Sequence, residues 1–500
     1  MQFMERKELF FILGLCLVVF IVRLVLAFLV PNLTYESYFH VRQVEHIRET
    51  GLPLFEDDLS YGGRIHRFLP FFHYFMAFFT LFLPLDLVTK ILPNLLLAML
   101  PFIVYLIAKE ITTNKLAPFY SAFITGFLPI LYTPNAFTIE TLFLPLLFCT
   151  LYMFLRLEHK PYLYGYLFLF LLLSVTSPNT YLLLLGFGIY LLLSVIEKKI
   201  INKAEIELII FSVFFFVWIQ FLFFKDLFLQ EGLAFIWQNI PSQIIQEYFP
   251  KLSITKALVL VSIIPFLTGI FVVYRSLFAL KNLRSFLLIS FTITTTILAW
   301  FRLIKFEFSL AFFGVILAIF FAVFYEESIN YIKKTKFPKL QKSFSVAMIL
   351  LLMITMIFPS FQEALQQETP SNEELLAFHW MGENLSGEGG VLALLEEGHL
   401  VTYLSKRKNL MDDQFVLIDD VDQRFKDLTI LYTTSFQTQA FDLFDKYQIR
   451  YIVLTPFAKK KYDLQNFHYL APGCFRRLFK EEIKIYEVTC SLTETNKNAP

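Results

Sequence analysis

Long apolar stretches recur along the first three-quarters of this 500-residue chain. A helix needs about 20 consecutive apolar residues to cross a bilayer. Ten stretches fit that demand, at roughly 9–30, 91–108, 117–134, 139–156, 162–177, 180–196, 206–224, 256–274, 285–301 and 307–325. An eleventh, about 344–359, leads into a polar tail. The first run is too long for a signal-peptide core and reads as a permanent span. The pattern predicts a multi-span α-helical membrane protein, with about eleven spans over 1–359 and a separate C-terminal domain over 360–500.

One further stretch, FLPFFHYFMAFFTLFLPL at 68–85, is apolar but short, and it carries His73 and two prolines. Charge decides its placement, because cytoplasmic loops carry excess Lys and Arg. If 68–85 does not cross and the N-terminus is cytoplasmic, the basic residues gather on the inner side. They include Lys109 and Lys115; Lys198, Lys199 and Lys203; and the series Lys333, Lys334, Lys336, Lys339 and Lys342. The turns near 135 and 178, which hold no Lys or Arg, then lie outside. A crossing at 68–85 would reverse every later loop, so this stretch is assigned to the outer interface. Two long loops, 31–90 and 225–255, fall on the outer side together with the tail, which places the C-terminal domain outside the cytoplasm.

The tail changes periodicity. PSNEELLAFHWMGENL reads as a helix with Ser371 as N-cap and Glu374 completing a capping box. GGVLALL reads as a strand entered through glycines, and AFDLFDKYQIRYIVLTP as helix, turn and strand. EEIKIYEVTC alternates like an edge strand, so the tail is an α/β domain. Cys474 and Cys490 lie in this polar region and can pair in an oxidising space, whereas Cys16 and Cys149 lie in apolar runs.

Composition agrees with the span pattern. The chain is 57% hydrophobic and 17% charged, against about 45–50% and 25% in soluble domains. A net charge of +1 gives no bulk field for nucleic acid. HExxH, GxSxG, P-loop and GxGxxG patterns are absent from the sequence.

Candidate chemistry clusters in the outer segments. YESYFHVR places Glu36, His40 and Arg42 directly after the first span, with Glu36 and His40 at i,i+4 spacing. A carboxylate at a bilayer surface is costly and marks a functional candidate; the plain alternative is a solvated loop. FEDDLSYGGR, ending on Arg64, carries an acidic run of the kind that ordinarily forms solvated surface. Glu140 stands at the outer end of a span, and with Glu36 it offers oxygen ligands for a divalent cation. The plain alternative for Glu140 is an interfacial residue reaching water. In WFRLIKFEF, Arg302 and Lys305 stand close together at the outer membrane edge, as on one helical face. Two cations there suit a phosphate or pyrophosphate headgroup, or serve as snorkelling anchors.

Taken together, these motifs resemble the catalytic subunit of oligosaccharyltransferases, GT-C membrane glycosyltransferases, and most closely the archaeal branch. YESYFHVR is similar to the family's first acidic motif, with Glu36 in place of its Asp. DDLSYGGR is similar to its downstream Gly-Arg turn. FLPILYTPNAFTIET resembles the second acidic motif, of which Glu140 alone remains. QEYFP resembles the motif that supplies a catalytic Glu, here Glu247, and FRLIKFEF resembles the donor-facing basic segment. The family's WWDYG aligns with Leu394, Leu395, Glu396, Glu397 and Gly398, keeping only the glycine, with Glu396 standing in for the Asp. SKRKNLMDDQF resembles its Arg…Asp stretch.

The resemblance implies transfer of a sugar or oligosaccharide, with inversion, from a polyprenyl- or dolichyl-phosphate or pyrophosphate donor to a protein acceptor on the outer side of the cell membrane. It implies Glu36 and Glu247 as catalytic residues, and Glu36 with Glu140 as ligands of Mn or Mg. Arg302 and Lys305 become donor-phosphate residues, with His40, Arg42 and Arg64 as accessories. Two alternatives stand beside it. One is a GT-C enzyme that uses a single-sugar lipid phosphate for lipid, polysaccharide or non-Asn protein acceptors. The other is a transporter or non-catalytic scaffold, although the sequence shows neither internal repeats nor polar midplane residues.

The charge-derived topology makes a direct prediction. A single cysteine placed near Ser371 should react with an impermeant thiol reagent on intact cells, and one placed near Lys333 should not. The reverse labelling pattern would overturn the sidedness of the candidate residues.

Overall fold

The computed structural model describes residues 5–231, 253–280, 283–336, 338–385, 388–415, 418–471, 473–480 and 482–491. Glu247 and most of the 225–255 loop lie outside the described residues. The chain divides into two compact units. A helical unit comprises Met1–Pro31, Leu69–Phe223 and Leu252–Gln367. An α/β unit comprises Asn32–Phe68, Phe224–Lys251 and Glu368–Pro500. The first half of the 31–90 loop therefore groups with the C-terminal residues.

In the helical unit, six of the described helices are long and apolar enough to cross a membrane: Arg6–Leu29, Leu85–Ile111, Pro178–Ile196, Lys203–Leu229, Phe306–Lys334 and Leu340–Leu365. Shorter apolar helices cover Glu140–Leu155, Lys160–Thr176 and Arg284–Trp300. The 68–85 stretch yields only the helix Phe71–Phe79. At about 1.5 Å per residue it is far too short to span a bilayer.

Two apolar runs are not continuous helices. The 117–134 run is helical only over Ala117–Gly126, because Pro129 holds the preceding Leu128 in an extended conformation. The 256–274 run breaks into Ile254–Val261 and Ile263–Phe278, bent by 87°. Ser262, at φ +66°, forms that corner, and Pro265 sits in the first turn after it, where a missing N–H costs least.

The helical core also holds a charge. Arg23, 2% exposed, donates from Nε to Asn94 Oδ1 at 3.1 Å and from its terminal nitrogen to the Leu131 carbonyl at 2.6 Å. Asn94 in turn donates to the Lys90 and Pro134 carbonyls. These bonds tie the first helix to Leu85–Ile111 and to the irregular 131–134 turn, where backbone carbonyls have no helical partner. These bonds offset part of the cost of an intramembrane arginine.

In the α/β unit, a short antiparallel pair, β1 (Glu56–Asp57) and β2 (Arg64–Ile65), closes the 57–64 loop. A four-stranded sheet follows, built from β3 (Gly390–Leu392), β4 (Ile449–Leu454), β5 (Phe475–Lys480) and β6 (Lys484–Val488), in the order β3-β4-β6-β5. β3 and β4 run parallel, and the other pairings are antiparallel. Ser371 caps the helix Asn372–Asn384 in a complete capping box with Glu374. The EEIKIYEVTC segment is not an edge strand. The basic segment FRRLFK, which carries little apolar alternation, pairs outside it and takes the edge, leaving Ile485 and Tyr486 buried between neighbours.

Cys474 and Cys490 form a disulfide across the β5–β6 hairpin, 16 residues apart in sequence. A closed loop of that length stabilises its unit by about 3 kcal/mol. Peptide mapping without reduction should recover one Cys474–Cys490 linked species, and replacing both by serine should lower the unfolding midpoint. Two free thiols in the folded protein would contradict this.

Candidate functional site

The α/β unit gathers the chemistry-bearing residues on three segments. The first is the helix Ser37–Thr50, with Glu36 as its N-cap residue. The second is the 57–66 loop. The third runs from the short helix Gly398–Tyr403 to Gln414.

Glu36 is half-buried at the head of its helix, and His40, 3% exposed, lies one turn further on the same face. Between them Phe39 forms an aromatic hub. Its ring lies 5.1 Å from His40, 5.5 Å from His66 and 5.4 Å from His399. Three imidazoles around one phenyl ring fix the segments against each other.

The acidic run at 56–58 is not uniformly solvated. Asp57 is 2% exposed and takes both terminal nitrogens of Arg42, at 2.7 and 2.8 Å. It also accepts the N–H groups of Leu59 and Ser60. Nε2 of His66 stands 3.7 Å away, beyond hydrogen-bond reach. Burial alone would raise the Asp57 carboxyl, but the neighbouring His66, the Arg42 fork and the Leu59 N–H outweigh it and hold the pKa well below the usual range. Arg42 thus serves the loop as its counterion.

From this anchor the loop is stitched onto residues 409–414. Ser60 Oγ donates to Asp412 Oδ2 at 2.7 Å, and the Tyr61 hydroxyl to the Asp412 carbonyl at 2.6 Å. The Tyr61 N–H donates to Asn409 Oδ1, and the Asn409 N–H returns a bond to Leu59. Tyr61 sits at φ +54°, a conformation rare for a bulky residue, held by these bonds on both sides. Arg64 donates to the Gln414 carbonyl and lies over the Tyr61 ring at 5.2 Å.

The stitched segments bring together three side chains that sequence reasoning missed. His399 Nε2 meets Asp413 Oδ1 at 2.6 Å, and ligand-type atoms of His399, Asp412 and Asp413 all lie within 4.8 Å of one another. Asp412 is fully buried and accepts from Ser60, Asn409 and the Gln414 N–H. Burial disfavours the His399 imidazolium, yet Asp412, Asp413 and Glu36 outweigh it and hold its pKa above the ordinary value. Glu36 thus acts electrostatically on the same group. The DD pair was visible in the sequence as part of SKRKNLMDDQF, but nothing local signalled that His399 would face it.

Glu397 was likewise hidden. It is buried, accepts from the Leu394 N–H and the Thr455 hydroxyl, and its carboxyl is pushed up to about 8, chiefly by burial and then by Glu374. Glu396, the residue aligned with the family's Asp, pairs with Lys461 at 2.7 Å. Gly398 has a steric reason to be glycine: a Cβ there would come 2.3 Å from the Met411 carbonyl and 2.7 Å from the Asp412 Cβ.

In the helical unit, Glu140 is the first residue of Glu140–Leu155, where a carboxylate complements the helix dipole. Arg302 and Lys305 do not share a helical face. Arg302, at φ +55°, turns the chain between Leu283–Trp300 and Phe306–Lys334, and Lys305 is the N-cap of the second helix. Both are exposed. The run looked helical because the turn itself is rich in apolar residues.

Two substitutions test this geometry. Gly398→Ala should destabilise the α/β unit by about 2 kcal/mol or more, through overpacking against the 411–412 backbone; an unchanged unfolding midpoint would contradict the close approach. Asp57→Asn should cost about 3 kcal/mol at neutral pH by leaving Arg42 half-buried and unpaired. Because the native Asp57 pKa lies below the unfolded value of about 3.9, its contribution is present above that pH and is lost as pH falls below it. Unfolding midpoints of the wild type should therefore drop more steeply below pH 4 than those of Asp57→Asn.

No protein-family profile matches the chain, and no curated protein sequence matches it either. Solved structures do. The archaeal oligosaccharyltransferase AglB from Archaeoglobus fulgidus, in complex with an inhibitory peptide and a dolichol-phosphate, superposes with a TM-score of 0.67 at 13% identity, covering 90% of this chain and 70% of AglB. The same enzyme in complex with Zn and sulfate gives 0.61 at 13% identity, covering 88% of this chain and 67% of that one. ArnT from Cupriavidus metallidurans bound to undecaprenyl phosphate gives 0.56 at 11% identity, covering 98% of this chain and 99% of ArnT. The chain therefore shares the fold of these structures, a multi-span helical part followed by a C-terminal α/β region.

Proposed function

We propose that this protein is a membrane glycosyltransferase that moves a sugar or oligosaccharide from a polyprenyl- or dolichyl-linked phosphate donor to an acceptor outside the cytoplasm. The observation that carries the reading is a fold shared along nearly the whole chain with AglB and ArnT, structures determined with dolichol-phosphate and undecaprenyl phosphate. Oligosaccharide transfer to protein is the form that AglB supports. The ArnT likeness, which covers both chains almost completely, favours a second form, in which a single sugar on a lipid phosphate is transferred.

In this reading the acceptor nucleophile attacks the anomeric carbon as the bond from that carbon to the donor phosphate oxygen breaks. The lipid phosphate leaves with the bonding electrons. Glu36 orients the acceptor and takes its proton, a task suited to a carboxylate poised at a helix head. Arg302 and Lys305, exposed at an apolar helix boundary, neutralise the departing phosphate. Glu247, His40, Arg42 and Arg64 complete the set that the resemblance implies.

A divalent cation at Glu36 and Glu140 belongs to the same reading. The two residues lie in different units, and Glu247 lies outside the described residues.

Glu36→Gln keeps the shape and removes the charge. Assayed with purified protein and lipid-linked sugars, its turnover should fall by at least about 10²-fold, with folding intact. Replacing Arg302 and Lys305 by glutamine should raise the donor KM more than it lowers kcat. Full turnover in Glu36→Gln would remove that residue from the reaction.

A further inference from the structure

We propose that His399, Asp412 and Asp413 form a binding site for one divalent transition ion, of the Zn2+ or Mn2+ class, within the α/β unit. Two observations carry it, and neither involves Glu140.

The first is convergence. One imidazole nitrogen and two carboxylate oxygens lie within 4.8 Å of one another, on residues 13 and 14 positions apart in sequence. Among the described residues, this is the group of His, Cys, Asp and Glu side chains whose ligand atoms converge. Around a Zn2+ ion with ligands at about 2.0–2.2 Å, neighbouring ligand atoms stand roughly 3–3.5 Å apart. Small side-chain rotations close the present spacing.

The second is burial with charge. Two adjacent carboxylates, one of them fully buried, face a single imidazole, and Glu36 acts on that imidazole as a third. Arg64 is the cation electrostatically coupled to both aspartates. A dication held between these carboxylates would offset negative charge that a low-dielectric interior otherwise makes costly.

Three protein ligands leave a coordination position open for water or an anionic oxygen.

The mixed nitrogen and oxygen set selects the ion. Imidazole suits Zn better than Mg or Ca, which prefer oxygen cages, and the two carboxylates also suit Mn. Asn409, Gln414 and Ser60 hydrogen-bond the two aspartates and fix their orientation, as outer partners of ligands do.

The test reads metal, not turnover, so its failure and the failure of the glycosyltransferase reading are separable. Full-length protein in detergent is stripped with a chelator, reloaded with Zn2+ or Mn2+, desalted, and assayed by elemental analysis. About one equivalent should remain. Cobalt substitution should give a visible spectrum characteristic of a nitrogen–oxygen site. His399→Gln and Asp413→Asn should each weaken binding by at least about tenfold, while Glu140→Gln retains it. Thermal unfolding confirms that each variant folds; Asp412, which holds the 57–66 loop, is left intact for that reason. Absence of bound ion in the wild type would overturn the proposal. So would binding that is lost in Glu140→Gln but kept in Asp413→Asn.

Discussion

The buried carboxylate of Asp412 is the constraint on which the α/β unit depends. It accepts hydrogen bonds from Ser60, Asn409 and the Gln414 backbone, and so joins a loop near residue 60 to a segment some 350 positions later. A buried charge is expensive unless it is fully bonded. Meeting that demand fixes the path of the 57–64 loop, forces Tyr61 into a positive φ, and brings the 411–412 backbone so close to Gly398 that no side chain fits between them. Asp57 and Arg42 repeat the logic at the base of the same loop. The helix that carries Glu36 and His40 is held against this framework through Phe39.

That framework explains why the residues after the first apolar helix do not behave as an ordinary loop. A carboxylate at a helix head, three histidines around one ring and two aspartates facing an imidazole make up a preorganised polar centre. In the proposed reading such a centre suits group transfer from a phosphate leaving group, where charge must be stabilised without first reorganising solvent. The helical unit obeys a complementary rule: its buried Arg23 is bonded to an irregular backbone carbonyl, while Glu140 and Lys305 stand at helix ends.

Much of this was legible in the sequence, for local reasons. Apolar runs, the Ser371–Glu374 capping box, the helix–turn–strand at 437–454 and the cysteine pair all depend on neighbours in the chain. The break at Ser262 and the turn at Arg302 were not legible, because positive φ at a non-glycine residue has no compositional signature. The order of the β5–β6 hairpin was misread, because a basic edge strand shows no alternation. The acidic run at 56–58 looked solvated because its counterion, Arg42, is supplied by a different element. His399 facing Asp412 and Asp413 was hidden because the turn joining them through Asn409 is set by tertiary contacts.

Where the sequence departs from the motifs it resembles, the structure gives the residues physical roles. The retained glycine, Gly398, is kept by sterics. The substituted carboxylates divide the work: Glu396 pairs with Lys461, while Glu397 is buried against Thr455. Under the proposed function, Leu394 and Leu395, standing where the resembled motif has paired tryptophans, point to an altered acceptor. The most direct measurement compares cells with and without this chain, by mass spectrometry of their lipid-linked sugars and external glycoconjugates. Loss of the chain should raise one lipid-linked donor and remove one glycan from its acceptor; two unchanged pools would contradict the account.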